Sequence, residues 1–284
     1  MTVAVYRPRG LGWLYRLRDG ISELFANIGH FLSFVYYSFR YAPQAMTRYR
    51  AQTVQTVTDL AWGRGAIVVG GGTALVMVVL GAAAGATVAV AVYGVLNMLG
   101  MGSLTGVVGS FAITREFAPL LAAFGFAIQA GCRMTAEIGS MRISEEVDAL
   151  EVVGVRSIAF VVSTRIIAGL ITIVPTFLIA VIASYLSASL VVMSRGESAG
   201  AYQHYFDQFV NVTDLFYAML KVIVFVVVII LIHCYQGFFA SGGPEGVGVA
   251  SGHAIRASLV SIVVLDMVLT IAFWGFTTNL VFRG

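Results

Sequence analysis

The sequence predicts an all-α integral membrane protein with an N-terminal interfacial helix and five transmembrane helices. Hydrophobic residues make up 59% of the 284 residues, charged residues make up 11%, and the mean hydropathy is +0.90. This composition excludes a soluble globular domain. Crossing a hydrocarbon core of about 30 Å takes about 20 apolar residues, and five stretches are long enough. One domain, 1–284, is predicted, with spans near 66–96, 107–131, 158–193, 215–240 and 255–281.

The first element is a helix predicted over residues 11–41. Its apolar residues recur at spacings of three and four, while Arg16, Asp19 and Glu23 fall on the other face, a pattern typical of a helix lying in the membrane interface. Its aromatic end, residues 31–41, suits the same location. A sixth crossing is the alternative, which Arg40 disfavours. The first twenty residues lack an apolar core and a cleavage site, so no removable signal peptide is expected.

Two features of the spans bear on helix packing. Pro175 predicts a kink in the third span because proline removes a backbone hydrogen bond. Gly81 and Gly85 in the first span form a small-xxx-small pattern that lets two helices approach closely. Glycines that face lipid are the alternative interpretation of that pattern.

The distribution of basic residues predicts the orientation of the chain. Of 17 Lys and Arg, thirteen lie before residue 66, between 133 and 165, or at Arg256, and two, Arg195 and Arg283, lie on the opposite side. Cytoplasmic segments carry the excess of Lys and Arg. The N-terminus and the loops 132–157 and 241–254 are therefore predicted to be cytoplasmic, and the loop 194–214 and the C-terminus extracytoplasmic.

A concentrated polar patch, about 143–154, lies between the second and third spans. Ser144 followed by glutamates predicts a helix start, and Gly154 predicts its end. Apolar residues recur at helical spacing on one side, at Ile143, Val147, Leu150 and Val153; acidic residues occupy the rest, at Glu145, Glu146, Asp148 and Glu151. This short amphipathic helix has the form of a docking surface for a cytoplasmic partner. A solvated connector is the alternative.

Charged residues inside the spans are a second candidate site. Arg115, Glu116, Lys221 and Asp266 lie in otherwise apolar runs, and a charge at a helix centre costs about 2.5–3.5 kcal/mol. Such residues are expected to face a protein interior or a wet cavity and to pair across helices, Lys221 with Asp266 in particular. The structural alternative is that Arg115 and Glu116 neutralise each other while Lys221 extends towards the interface.

Several chemistries find no support in the sequence. A nucleotide-binding P-loop needs Lys followed by Ser or Thr, and the only lysine, Lys221, precedes Val222. The two cysteines match no metal-ligand spacing, and the four histidines form no metal site or catalytic triad. No catalytic residue, bound cofactor, metal or nucleic-acid partner is therefore predicted.

Four motifs follow one another along the chain: Thr114-Arg-Glu-Phe-Ala-Pro-Leu120, Ala136-Glu-Ile-Gly-Ser-Met-Arg142, Glu145-Glu-Val-Asp-Ala-Leu-Glu-Val-Val-Gly154 and Gly242-Gly-Pro-Glu-Gly-Val-Gly248. Together they resemble the signatures of the MlaE/YrbE family of ABC transporter permeases, and the resemblance covers about residues 10–284. The family supplies membrane subunits of transporters that move lipids with Mce-domain proteins. The resemblance implies a non-catalytic plasma-membrane subunit with an MlaE-type permease fold.

The resemblance also implies partners and residue roles. Expected partners are a second permease, two cytoplasmic ATPases that hold ATP and Mg, and extracytoplasmic Mce-domain proteins. The segment Glu145–Gly154 would be the coupling helix that docks on an ATPase, through Glu145, Glu146, Asp148, Leu150 and Glu151. Arg115, Glu116, Lys221 and Asp266 would line the lipid path.

One departure from the family pattern concerns residues 156–165. Many members have prolines there, whereas this chain has Arg156-Ser-Ile158 and Ser163-Thr-Arg165. The variation resembles the B-type YrbE subunit of actinobacterial Mce systems, which favours a heterodimer; a homodimer is the alternative. An ion-coupled secondary transporter that uses Glu116 and Asp266 is the competing function, and a passive scaffold is a third.

Overall fold

The structure, a computed structural model, describes residues 12–63 and 72–275, and no strand occurs within these ranges. The helix Gly102–Ile143 starts with a turn of 3-10 helix and contains two π-helical turns, Ile113–Phe117 and Ala127–Gly131. The helix Ile158–Ser194 starts with a third π-helical turn, Ile158–Ser163. The helices are α1 Gly12–Arg40, α2 Ala42–Thr47, α3 Arg50–Trp62, α4 Thr73–Met98, α5 Gly102–Ile143, α6 Glu146–Val152, α7 Ile158–Ser194, α8 Ala199–Phe209, α9 Val212–Phe238 and α10 Gly243–Trp274.

Five of these helices, α4, α5, α7, α9 and α10, are long and apolar enough to cross a membrane. They confirm the predicted class, an all-α membrane protein. Helix α1 has 29 residues but is not among the five. Its placement in the membrane interface stays a prediction.

Two segments predicted as loops are helical. Helix α5 continues past residue 131 to Ile143, where Arg133 Nε and Glu137 Oε1, one turn apart, lie 2.9 Å from each other and stabilise the helix. Helix α10 already begins at Gly243, after Gly242 with φ 91° and with Pro244 in its first turn. Both helices extend beyond their apolar spans. Hydropathy does not predict the extension of α5 because it is polar, or the early start of α10 because it is rich in glycine.

Helices α4 and α7 are in backbone contact. A Cβ atom on Gly81 or Gly85 would overlap the backbone of Ala180 or Ser184 on α7. The approach is close enough for Ser184 Oγ to donate a hydrogen bond to Gly81 O at 2.7 Å. The glycine pattern therefore marks a helix interface, and the lipid-facing interpretation is wrong.

Helix α1 has two faces. On one face Phe34 is buried, 5.4 Å from the ring of Tyr235 at the end of α9, and His30 Nδ1 lies 2.9 Å from the Tyr235 hydroxyl. The opposite face exposes large apolar side chains, Phe25, Ile28, Leu32, Tyr36 and Phe39. Helix α1 is thus attached to the bundle along one side and offers an apolar surface along the other.

Candidate functional site

Three of the predicted intramembrane charges form one cluster. Lys221 of α9 is fully buried, and its Nζ lies 3.1 Å from Glu116 Oε2 on α5 and 2.6 Å from Asp266 Oδ1 on α10. The predicted pairing of Lys221 with Asp266 is thus present in the structure. Because the bundle excludes water from Lys221, these opposite charges are what make its burial tolerable.

Two further groups complete the environment of the ammonium. Lys221 Nζ donates to Thr270 Oγ1 at 2.7 Å and to the Arg115 carbonyl at 3.0 Å. The Thr270 hydroxyl in turn donates to Glu116 Oε1 at 2.8 Å. One cation therefore faces two carboxylates, and the side chain of Glu116 is 36% exposed at the edge of the cluster.

Pro119 explains why the Arg115 carbonyl is free to bind Lys221. In an α-helix that carbonyl would accept from the N–H of residue 119, and proline has none. The turn Ile113–Phe117 is π-helical at this point, an irregularity frequent at functional sites. The motif from Arg115 to Pro119 thus supplies to the cluster both a carboxylate and a backbone carbonyl that lacks its usual α-helical donor.

The Arg115 side chain belongs to a second ion pair. Its Nη2 lies 2.8 Å from Asp214 Oδ2 at the start of α9, and Asp214 Oδ1 also accepts from Trp274 Nε1 at 2.7 Å. The guanidinium carbon is 4.4 Å from the centroid of the Phe111 ring, a cation–π contact. Asp214 and Trp274 join the polar region although no sequence pattern marks them as part of a site.

The structural alternative for these charges is wrong in both parts. Arg115 and Glu116 do not neutralise each other, because neighbours on a helix point about 100° apart and each finds a partner on another helix. Lys221 does not extend to the interface, since it is buried completely.

Helix α6 is shorter than predicted and begins differently. Ser144 directly follows the last residue of α5, and its Oγ donates a hydrogen bond back to Ser140 O at 2.9 Å. It does not cap α6. Glu145 follows with φ 59°, and the helix runs from Glu146 to Val152. This left-handed residue turns the chain sharply between α5 and α6.

The two faces of α6 match the predicted amphipathicity only in part. Val147 is buried and Leu150 is half-buried, whereas Ile143 and Val153 are exposed. Val152 is 87% exposed, so the end of the helix presents adjacent valines to solvent.

The acidic side chains of α6 differ in how they are engaged. Asp148 is ion-paired with Arg142, and Glu151 accepts a hydrogen bond from Ser157 Oγ at 2.6 Å. Glu146 Oε1 lies 3.1 Å from Ser144 Oγ, whose one proton already serves Ser140 O, and Glu145 is exposed. The surface left for a partner therefore consists of Glu145, Glu146 and the exposed valines.

An ion-pair network joins α5 to α7, the two helices that form a hairpin around α6. Glu137 Oε2 of α5 lies 3.3 Å from Nη2 of Arg165, a nearly buried residue of α7. Arg133, paired with the same carboxylate, donates from Nη1 to the Asp59 carbonyl of α3 at 2.9 Å. The helices on both sides of α6 are thereby joined to each other and to α3.

The remaining candidate groups are structural. His233 is buried, with Nδ1 2.8 Å from Thr135 Oγ1 and Nε2 3.3 Å from Ser258 Oγ. Cys132 is half-buried and Cys234 buried, and neither forms a disulfide. Within residues 12–63 and 72–275 no three His, Cys, Asp or Glu side chains are arranged to hold a metal ion.

The cluster, the π turns and the hairpin with α6 all lie within a segment that matches a known family. Residues 62–272 match the sequence model of the family described as Permease MlaE. The chain belongs to the MlaE permease family. The match contains every predicted site residue.

Individual members of the MlaE permease family are similar at moderate identity. A probable ABC transporter permease protein of Rickettsia bellii is 32% identical over 164 residues, which cover 57% of this chain and 63% of that protein. The corresponding protein slr1045 of Synechocystis is 33% identical over 168 residues, covering 58% and 63%.

A more distant relative carries a more informative name. The intermembrane phospholipid transport system permease protein MlaE of Haemophilus influenzae is 26% identical over 168 residues, covering 58% of this chain and 64% of that protein. The chain thus aligns with somewhat less than two thirds of the length of these relatives.

Proposed function

We propose that this chain is the transmembrane subunit of an ABC transporter that moves lipids across the cell envelope. The observation that carries the proposal is that one helix, α5, contributes Glu116 to the buried charged cluster and ends at the short amphipathic helix α6. Membership of the MlaE permease family and the phospholipid transport named for the Haemophilus relative support lipid as the substrate class.

In this proposal Glu116, Lys221 and Asp266, with the neighbouring Arg115, form a polar lining of the lipid path. A lipid carries a polar headgroup through an apolar bundle, so groups that can exchange hydrogen bonds with it lower the cost of passage. Glu116 is suited to meet the headgroup because it is the most exposed member of the cluster, while Lys221 is enclosed.

Helix α6 serves as the coupling helix. Its exposed valines and unpaired glutamates fit a groove with an apolar floor and basic rim on a cytoplasmic ATPase, which holds ATP and Mg. The assembly contains two ATPases, a second permease and extracytoplasmic Mce-domain proteins in the plasma membrane. The second permease is a different chain, as in an actinobacterial Mce system with A-type and B-type YrbE subunits.

Removing the free charges of α6 tests the docking role. The variant Glu145→Asn with Glu146→Gln keeps the backbone, because asparagine tolerates a positive φ. Charge-assisted contacts contribute about 1.5–3 kcal/mol each, so ATPase recovered with the tagged permease should fall at least about tenfold. Asp207→Ala, which removes an exposed charge from α8, is the control and should leave recovery unchanged. Undiminished ATPase in the double variant would refute this role.

Cysteine labelling tests the orientation, with the N-terminus cytoplasmic and the C-terminus extracytoplasmic. In a background with Cys132→Ser and Cys234→Ala, Gly200→Cys on α8 should react with a membrane-impermeant thiol reagent in intact spheroplasts. Ser241→Cys, before α10, should react only after lysis. Both positions are exposed, so access to the reagent decides the result. Labelling of both in intact cells would contradict the five-crossing topology.

Purification separates this function from that of a secondary transporter. An ABC permease is recovered with a stoichiometric ATPase, and its transport stops when ATP is withheld. A secondary transporter using Glu116 and Asp266 would work alone and follow an ion gradient, which would overturn the proposal.

A further inference from the structure

A cavity of about 540 Å³ lies between the end of α1 and the turn that joins α6 to α7. Tyr37 of α1 and Tyr41, which directly follows α1, line one side, and Arg156 and Ser157 line it from the turn. The apolar span of α7 begins at Ile158. Arg156 therefore directly precedes a helix able to cross the membrane, and the proposed topology puts it near the depth of the lipid headgroups.

The cavity presents a positive charge packed against the first ring of an aromatic pair. The guanidinium carbon of Arg156 lies 4.8 Å from the centroid of the Tyr41 ring, and Tyr41 is stacked on Tyr37 with an angle of 16° between their planes. Such stacking orients a guanidinium while leaving its N–H donors free.

No carboxylate in the described part of the chain forms an ion pair with the Arg156 guanidinium. Glu151 also lines the cavity and keeps its charge, but its carboxylate is engaged with Ser157 Oγ and forms no ion pair with Arg156. Among the residues that the structure describes, Arg156 forms no ion pair. The cavity thus offers an arginine with free donors, next to two phenol groups, to an anion from outside the chain.

We propose that this cavity binds the phosphate headgroup of an anionic lipid of the cytoplasmic leaflet, with Arg156 contacting the phosphate. Basic pockets beside transmembrane helices on the cytoplasmic side recognise such headgroups. The exposed apolar face of α1, with Leu32, Tyr36 and Phe39, provides a surface for the acyl chains of the same lipid. This site is separate from the charged cluster, and the proposal rests on the proposed orientation, which cysteine labelling tests independently.

The charge of α6 argues against an acidic surface of the ATPase as the occupant. A partner that binds Glu145 and Glu146 is basic where it meets α6, and Arg156 lies at the far end of the same hairpin. Basic groups of such a partner would repel Arg156, whereas a lipid phosphate beside them would be attracted.

Lipid retention measured by native mass spectrometry tests the proposal. The purified full chain with its partner subunits is reconstituted in phosphatidylcholine nanodiscs containing phosphatidylglycerol and then released. Phosphatidylglycerol retained by Arg156→Gln should be about fivefold lower than by the wild type, the effect expected of one arginine near an anionic surface. Arg48→Gln is the matched control, because Arg48 is exposed between α2 and α3 and its loss removes the same charge. Its retention should equal that of the wild type.

Three results would overturn the proposal. The first is equal retention by Arg156→Gln and Arg48→Gln. The second is displacement of phosphatidylglycerol by millimolar inorganic phosphate, which would make the site one for a free anion. The third is loss of the ATPase from Arg156→Gln with lipid retention intact, which would make Arg156 a protein contact. Thermal melting of each variant, expected to be unchanged, excludes misfolding as the cause of lost lipid.

Discussion

Gly85→Leu is expected to abolish accumulation of the folded protein in the membrane. Even a Cβ atom at this position overlaps the Ser184 backbone of α7, so α4 and α7 must separate to admit a leucine. Separation breaks the hydrogen bond from Ser184 to Gly81 and opens the interface around it. Overpacking against side chains costs about 1–3 kcal/mol, and a clash with backbone exceeds that range because backbone cannot change rotamer. Membrane yield and thermal stability in detergent measure the effect.

Gly94→Leu provides the matched control for this prediction. Gly94 lies on the same helix, α4, and a Cβ atom there meets no heavy atom within 4 Å. The control should accumulate like the wild type. Equal yields for Gly85→Leu and Gly94→Leu would show that α4 and α7 are not in backbone contact.

Lys221→Met should have the second large effect, because it leaves Glu116 and Asp266 facing each other without a cation. Breaking a buried ion pair by removing one partner costs about 3–5 kcal/mol. Asp266→Asn should cost less, since Glu116 Oε2 remains 3.1 Å from Lys221 Nζ. Lys221→Met combined with Asp266→Asn should recover much of the yield of complex. Lipid transport should remain low, because the polar lining is still incomplete.

A double-mutant cycle that scores complex yield and lipid transport separately measures this coupling. Arg256→Met serves as the control, because it removes an exposed cation from α10 and should alter neither quantity. Additive losses of yield would show that Lys221 and Asp266 do not interact. Full transport by the double variant would assign both residues a purely structural role.

The number and type of the long helices could be predicted from composition because burial in lipid demands long apolar segments whatever their packing. The pairing of Lys221 with Asp266 could be predicted for a related reason, since an isolated charge is too costly in that environment. The partners of Arg115 could not be predicted. Asp214 falls at the edge of a predicted loop, and Trp274 resembles any interfacial aromatic residue. Their contacts with each other and with Arg115 depend on how α9 and α10 are rotated about their own axes, which hydropathy does not determine.

The hairpin that carries α6 shows a different limit of sequence-based prediction. Ser144 followed by two glutamates has the composition of a helix start, but its hydroxyl bonds one turn backwards and the residue closes α5. The positive φ of Glu145 has no sequence signal, since glycine or asparagine would be the usual residue there. Local propensity located the polar helix correctly within a few residues and misplaced its first turn.

The length of α5 has a mechanical consequence. Its 42 residues correspond to about 63 Å at 1.5 Å per residue, more than the 40–45 Å of a bilayer with its headgroups. The helix is therefore longer than the bilayer is thick, and Glu145 joins α6 to its end. Glu116 lies about 40 Å from that end, measured along the helix. A continuous helix therefore connects the end at α6 to this carboxylate, and the π turn Ala127–Gly131 is the one interruption of regular α-helix between the two sites.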